Sequence, residues 1–136
     1  MKLKPVASVI ALGVLCLALP LAAHHSWTAD YDASKPITVK GVVTKVEWTN
    51  PHARFYVEGT DEKGAKTTWN FELASVNSLV RHGWTRKAVN PGDQVTVKAY
   101  LAKASRDPGK ANAAEVTLAD GRHIFAGTPG GDASSQ

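Results

Sequence analysis

The sequence predicts an all-β domain, and within that class a small OB-like five-stranded barrel with one short helix between strands three and four. Two observations carry this prediction. From residue 37 onward, apolar and polar side chains alternate with a period of two, which is typical of strands. The strands are short, and turns rich in Gly, Pro, Asn and Asp separate them. Five such strands in one small domain close into a barrel more readily than they divide into an antiparallel sandwich, which is the alternative.

The apolar alternation also marks out each strand. In the first strand, residues 37–48, the inward alternation begins on Ile37 and Val39 and then changes phase to Val42, Val46 and Trp48. Gly41 lies at the change of phase, where we expect a bulge that bends the strand around a barrel corner. Asn50 and Pro51 end that run. The other strands are predicted over residues 54–58, 67–73, 95–101 and 113–118, with a short final strand at 122–125.

A short helix is predicted between the third and fourth strands. Ser75 is typical of a helix N-cap, the helix runs through Arg81, and Gly83 provides the left-handed stop after which Trp84 packs back. His82 lies at the helix C-terminus, where the helix dipole favours a cation, so we expect that role for it.

The first residues have the parts of a bacterial secretory leader. Lys2 and Lys4 precede an apolar stretch that Ala22 and Ala23 close, which predicts a signal peptide over residues 1–23 and a periplasmic or secreted protein. The alternatives are cleavage after Ala22 and a leader that stays attached as a membrane anchor; after cleavage, no stable membrane insertion is expected. The rest divides into an N-terminal segment (24–36), the barrel domain (37–126) and a disordered tail (127–136).

Charge and motif content limit the functions that the sequence allows. The chain has 16 Lys+Arg and 12 Asp+Glu, and the leader removes two lysines, so 14 − 12 leaves a net charge of +2. Without a basic cluster, nucleic acid is not expected as a partner. The only cysteine, Cys16, lies in the leader, so the domain has no disulfide. Motifs for nucleophilic, phosphate or dinucleotide chemistry are missing, and we do not expect an enzyme.

Histidines near the predicted mature N-terminus suggest a metal site. His24 and His25 would bring imidazoles next to a free amine, and His52 follows the turn between the first two strands. These nitrogen ligands suit a divalent transition metal, and copper is the preferred ion. The alternatives are two exposed terminal histidines and a half-covered turn histidine without a ligand role. His123 lies next to a turn, and we expect it to be solvated.

Such a metal site also needs groups that orient the imidazole rings. Glu47, Asn50 and Ser26 are the candidates from their positions in the sequence. The site further requires the segment from His24 to Pro36 to fold back onto the barrel.

Aromatic residues suggest a second kind of site. Trp48, Asn50 and Tyr56 lie around the first turn of the predicted barrel, where OB domains bind ligands. Trp69 and Trp84 could join Tyr56 in a stacking platform, but core packing is the more common role of such tryptophans.

The mature chain resembles the small secreted bacterial family of unknown function 6152. The motifs that carry the resemblance are Ala-His-His-Ser-Trp (23–27), Lys-Pro-Ile-Thr (35–38), Val-Glu-Trp-Thr-Asn-Pro-His (46–52), Trp-Asn-Phe-Glu-Leu (69–73), Gly-Trp (83–84), Pro-Gly-Asp (91–93) and Leu-Ala-Asp-Gly-Arg (118–122). The family name implies no activity. More loosely, the strand order is similar to that of periplasmic bacterial OB-fold proteins, which lack the paired histidines. The terminal histidine is chemically analogous to the copper brace of polysaccharide monooxygenases.

These observations lead to three hypotheses of function. The first is a periplasmic carrier, buffer or sensor of copper that uses His24, His25 and His52. The second is a module that binds a small molecule, a glycan or an envelope protein through a face containing Trp48, Asn50 and Tyr56. The third is an oxidative copper enzyme.

Overall fold

The structure is a computed structural model in which residues 27–127 are described. The predicted leader and most of the predicted tail lie outside this range. The described elements are α1 (Trp27–Asp30), β1 (Tyr31–Glu47), β2 (Arg54–Asp61), β3 (Lys66–Glu72), α2 (Val76–Arg81), β4 (Gln94–Ala102), β5 (Lys110–Leu118) and β6 (His123–Phe125). No helix between residues 27 and 127 is long and apolar enough to cross a membrane.

The strands form a closed ring, which confirms the predicted barrel rather than a sandwich. β1 pairs antiparallel with both β2 and β4, β2 pairs with β3, and β4 pairs with β5. A parallel pairing of β3 with β5 closes the ring in the order β1-β2-β3-β5-β4. β6 extends the sheet beyond β5. Helix α2 lies between β3 and β4 in the chain, as predicted.

The bulge in β1 does not lie at Gly41, as predicted. The register with β2 shifts between Val43 and Lys45, so that Thr44 is the extra residue. The prediction was wrong because it placed Val42 inside the barrel, whereas Val42 is 41% exposed and Val43 is 1% exposed.

Gly41 instead allows two strands to approach each other closely. It pairs with Gly59 across β1 and β2. A Cβ atom at position 41 would lie 2.6 Å from the Cα atom of Gly59, which is closer than such atoms approach in proteins. Gly41 is therefore required by the strand spacing rather than by a bulge.

β1 also begins earlier than the alternation indicates. It starts at Tyr31, which pairs with Ala102 of β4, rather than at Ile37. Between Tyr31 and Pro36 the register with β4 is irregular and the side chains are mostly exposed, so this stretch has no apolar alternation to reveal it. As a result, part of the N-terminal segment belongs to the barrel wall.

The barrel core and α2 agree with the sequence prediction. Trp69 and Trp84 are buried in one apolar cluster with the inward residues of all five barrel strands. The Ser75 side chain caps α2 by accepting a hydrogen bond from the backbone N–H of Ser78. Gly83 has a φ of 89°, and its left-handed conformation ends the helix as predicted.

Candidate functional site

The turn between β1 and β2 holds His52 in a defined orientation. Its side chain is 41% exposed, and its Nδ1 atom lies 3.0 Å from the carbonyl oxygen of Leu73. Because a carbonyl oxygen only accepts hydrogen bonds, Nδ1 carries the proton and donates it. In the neutral ring the Nε2 atom therefore has a free electron pair, which can bind a metal ion or accept a hydrogen bond.

A polar cluster on the outer surface of β2 and β3 lies beside this imidazole. We call His52, Arg54, Asn70 and Glu72 the His52 cluster. One carboxylate oxygen of Glu72 is 4.0 Å from His52 Nδ1, and the other accepts a hydrogen bond of 2.5 Å from Arg54. Arg54 also donates to the side-chain oxygen of Asn70 at 3.2 Å. The Glu72 charge is thus balanced by Arg54 while the carboxylate faces the protonated side of the imidazole.

Two of the groups expected to orient the imidazole rings of the metal site, Glu47 and Asn50, have partners other than His52. The Glu47 carboxylate accepts a hydrogen bond from Lys45, which lowers the pKa of Glu47. The Asn50 side-chain oxygen accepts a hydrogen bond from the backbone N–H of Val76, at the start of α2. The groups that lie beside the His52 Nδ1 atom are instead the Leu73 carbonyl and the Glu72 carboxylate. Ser26 lies outside the described residues.

The contacts of these two partners with His52 could not be predicted from the sequence. Leu73 acts through its backbone carbonyl, which no side-chain pattern reveals. Glu72 reaches the turn because β2 and β3 pair Arg54 with Glu72. A signal existed only in the alternation of β3, which places Glu72 on the outer face.

The three residues of the predicted ligand face each have a different local partner. Trp48 packs against the core, and its ring stacks on Trp84 with 6.4 Å between ring centroids. Tyr56 lies on the outer surface, where the Lys45 ammonium is 5.3 Å from its ring centroid. Asn50 is engaged with α2, as described above.

Trp27, the first described residue, is fixed to the barrel near the His52 cluster. Its indole N–H donates to the side-chain oxygen of Asn112 at 2.9 Å. The Asn112 side-chain N–H₂ donates in turn to the backbone oxygen of Glu72 at 3.3 Å. The Trp27 ring also packs on Tyr100 and Tyr31, with centroid distances of 5.4 and 5.8 Å. The chain does fold back onto the barrel from Trp27 onward, although sequence reasoning gave Trp27 no such role.

Tyr31 provides a second link between the N-terminal part of the chain and Glu72. Its side chain is 2% exposed, and its hydroxyl has no hydrogen-bond partner among the described residues. Burial raises the pKa of Tyr31 well above its usual value of 10.0, and the negative charge of Glu72 raises it further.

The burial of Tyr31 and its proximity to Glu72 predict how the tyrosine hydroxyl ionises. The pKa of Tyr31 is higher in the folded than in the unfolded protein. The neutral hydroxyl therefore contributes fully to stability below pH 10, and this contribution is lost as the pH rises above that value. In an absorbance titration of tyrosinate, we expect one late component that Tyr31→Phe removes. Glu72→Gln should shift that component to lower pH without abolishing the delay, because burial remains.

Glu115→Gln is the matched control for this titration. Glu115 also pairs with a cation, Lys98, and with a histidine, His123. The charges that shift the pKa of Tyr31 are those of Glu72, Arg54 and Asp30. A late component that is identical in Glu72→Gln and in the unchanged protein would contradict the assigned proximity.

The other described histidines have local partners. His82 forms the C-cap of α2, as expected from its position, and its Nδ1 atom lies 2.8 Å from the Ser78 carbonyl oxygen. His123 is exposed, and its Nδ1 atom is 3.2 Å from a Glu115 carboxylate oxygen. Within residues 27–127, no three His, Cys, Asp or Glu side chains form a group that could hold a metal ion. His24 and His25 lie outside the described residues.

The fold defines the chain as a small all-β domain of the closed five-stranded barrel class. Within that class, it belongs to a family of unknown function, DUF6152, whose model matches residues 11–111. That match extends from before Trp27 into β5 and includes the His52 cluster. Comparisons with curated proteins and with solved structures found no match.

Proposed function

We propose that this protein binds Cu(II) in the periplasm through His24, His25 and His52, and that it acts as a carrier, buffer or sensor of the ion. The observation that carries the proposal is the orientation of His52. Leu73 holds the proton on Nδ1 and leaves Nε2 as a ligand, and Glu72 lies on the same side of the ring as that proton. A backbone carbonyl and a carboxylate on the far nitrogen are the usual supports of a metal-binding histidine.

The position of Trp27 supports a role for the N-terminal histidines. Trp27 contacts Asn112, Asn112 contacts Glu72, and Glu72 lies 4.0 Å from His52. An extended chain covers at most about 3.6 Å per residue, so the Cα atom of His25 is within about 7 Å of that of Trp27, and that of His24 within about 11 Å. The two histidines therefore precede an anchor that is linked to His52 through Asn112 and Glu72.

The ligand chemistry favours copper over the other common divalent ions. A terminal amine, imidazoles and deprotonated amide nitrogens suit Cu(II), which also stands highest among these ions in its affinity for nitrogen sites. Arg54 would not repel the ion strongly, because its charge is paired with Glu72. The periplasmic location rests on the leader-like residues 1–23, whose removal would free the amine of His24.

A copper titration in the presence of a competing chelator tests the proposal. The protein would be exported with its own leader and purified without an N-terminal tag, and its intact mass would give the first residue. We expect one equivalent of Cu(II) to bind at least tenfold more tightly than to a synthetic peptide of residues 24–36, because the barrel adds the His52 ligand. Equal affinity of the protein and the peptide would overturn the proposal.

A further inference from the structure

Two adjoining cavities lie where β4 begins and β5 ends. One has a volume of about 480 Å³ and borders β1, β4 and β5, and the other, of about 300 Å³, borders the loops that precede β4 and follow β5. Gln94, Leu118 and Ala119 line both cavities, so the two form one continuous groove. The groove contains no residue of the His52 cluster and is therefore independent of the proposed copper site.

A lysine stands at each end of this groove. Lys40 lines only the larger cavity and Lys87 only the smaller one, so the shared residues lie between them. Both lysines are exposed, and neither ammonium has an ion pair or a hydrogen bond within residues 27–127. A cation in a concave surface attracts anions more strongly than one on a flat surface, because the walls of the groove concentrate its field.

The two carboxylates of the groove already have partners. The Asp93 carboxylate accepts a hydrogen bond of 2.8 Å from the backbone N–H of Asn90. The Asp120 carboxylate accepts hydrogen bonds from the backbone N–H and the guanidinium of Arg122 at 3.0 and 2.7 Å, and these bonds lower the pKa of Asp120. Because Asp120 and Arg122 neutralise each other, only Asp93 opposes the two lysines, and the groove favours an anionic ligand.

We propose that this groove binds a small organic molecule with two anionic groups, such as a dicarboxylate, with one group at Lys40 and the other at Lys87. The section between the two groups lies against Leu118 and Ala119. The Gln94 side-chain amide, which has no partner within the described part of the chain, is available to a polar group of the ligand. The volumes of the two cavities suit such a molecule, since pockets for small ligands span roughly 300–1,000 Å³.

The separation of the two lysines makes binding depend on the length of the ligand. One exposed lysine holds a single carboxylate only weakly, because water screens the pair. When a molecule already bound at one lysine can reach the other, the second contact becomes intramolecular and adds to the affinity. A molecule too short to reach both lysines gains nothing from its second anionic group.

A nuclear magnetic resonance titration with dicarboxylates of increasing length, from succinate to suberate, tests the proposal. The amide signals of Gln94 and Ala119 in the ¹⁵N-labelled protein would report binding at low ionic strength, where exposed charges are least screened. We expect one chain length to bind at least about tenfold more tightly than butyrate, which has a single carboxylate. Equal affinity for butyrate and for every dicarboxylate, or shifts that never saturate, would overturn the proposal.

Lysine variants show whether both ends of the groove are used. Lys40→Ala and Lys87→Ala should each reduce the affinity for the best dicarboxylate to that for butyrate. Lys66→Ala is the matched control, because Lys66 is an exposed lysine of β3 with no ion pair among the described residues and does not line the groove. It should bind the dicarboxylate like the unchanged protein. An equal loss in all three variants would mean that net charge alone attracts the anion, and would overturn the proposal.

The same spectra control for folding. The three lysines are exposed, so the amide signals outside the groove should stay in place in every variant. Binding that requires Lys87 but not Lys40 would mean a site for a single anion and would also contradict the proposal.

Discussion

Replacing Trp84 with alanine is expected to lower the free energy of unfolding by about 3–5 kcal/mol, the range for removing a large aromatic side chain from a core. Trp84 is 3% exposed, and its ring stacks on Trp48. Its indole N–H donates to the carbonyl oxygen of Phe125, so the change leaves both a cavity and an acceptor without its partner. At roughly 4–8 °C per kcal/mol for a domain of this size, the melting temperature should fall by more than about 12 °C.

Trp84→Phe separates the two causes of that loss. Phenylalanine keeps most of the apolar volume and removes the indole donor, so we expect a loss of roughly 1–3 kcal/mol, mainly from the unsatisfied carbonyl of Phe125. Thermal and denaturant unfolding, followed by circular dichroism, would measure both variants. A change of less than about 1 kcal/mol for Trp84→Ala would contradict the packing described here.

Replacing His52 with alanine is expected to weaken Cu(II) binding by at least about 10–100-fold. This range is the effect of losing a group that only orients a ligand, and loss of the ligand itself should cost no less. Stability should change little, because the side chain is 41% exposed and makes one hydrogen bond, to Leu73, worth about 1 kcal/mol. Affinity and stability should therefore separate in this variant, in contrast to Trp84→Ala.

His123→Ala is the matched control for His52→Ala. His123 is also an exposed imidazole whose Nδ1 atom lies close to a glutamate carboxylate, but it is on β6. We expect His123→Ala to bind copper like the unchanged protein, and His24→Ala to bind as weakly as His52→Ala or more weakly. Tyr56→Ala should also leave copper affinity unchanged, whereas binding of a ligand through the outer surface of β2 would depend on Tyr56. Equal losses in His52→Ala and His123→Ala would indicate unspecific surface binding.

The barrel elements could be predicted from the sequence because the residue patterns that mark strands and helix ends are local. The alternation of apolar residues, the Ser75 cap and the Gly83 stop each act within a few residues, and each is confirmed. The position of the bulge was missed for a related reason. Val42 and Val43 are equally apolar, so only the pairing with β2 shows which of them faces the core.

The surroundings of His52 could not be predicted in the same way. The turn itself was identified from Asn50 and Pro51, but the partners of the imidazole come from the far end of β3. The Leu73 contact uses a backbone carbonyl, and the Glu72 carboxylate lies near His52 because β3 pairs with β2. Trp27 likewise docks on Asn112, a residue far along the chain that carries no sequence motif. Contacts of this kind depend on strand register, which residue patterns do not encode.

The most direct test of the central claim is a nuclear magnetic resonance titration of the ¹⁵N-labelled protein with Cu(II). Paramagnetic copper broadens the signals of nearby nuclei, so it locates the ion without a substitution. We expect the signals of the Leu73 amide and the His52 ring to disappear together with that of the Trp27 indole before one equivalent has been added. Broadening confined to Trp27 and the residues before it, with His52 and Leu73 unchanged, would contradict a site that joins the N-terminus to the barrel.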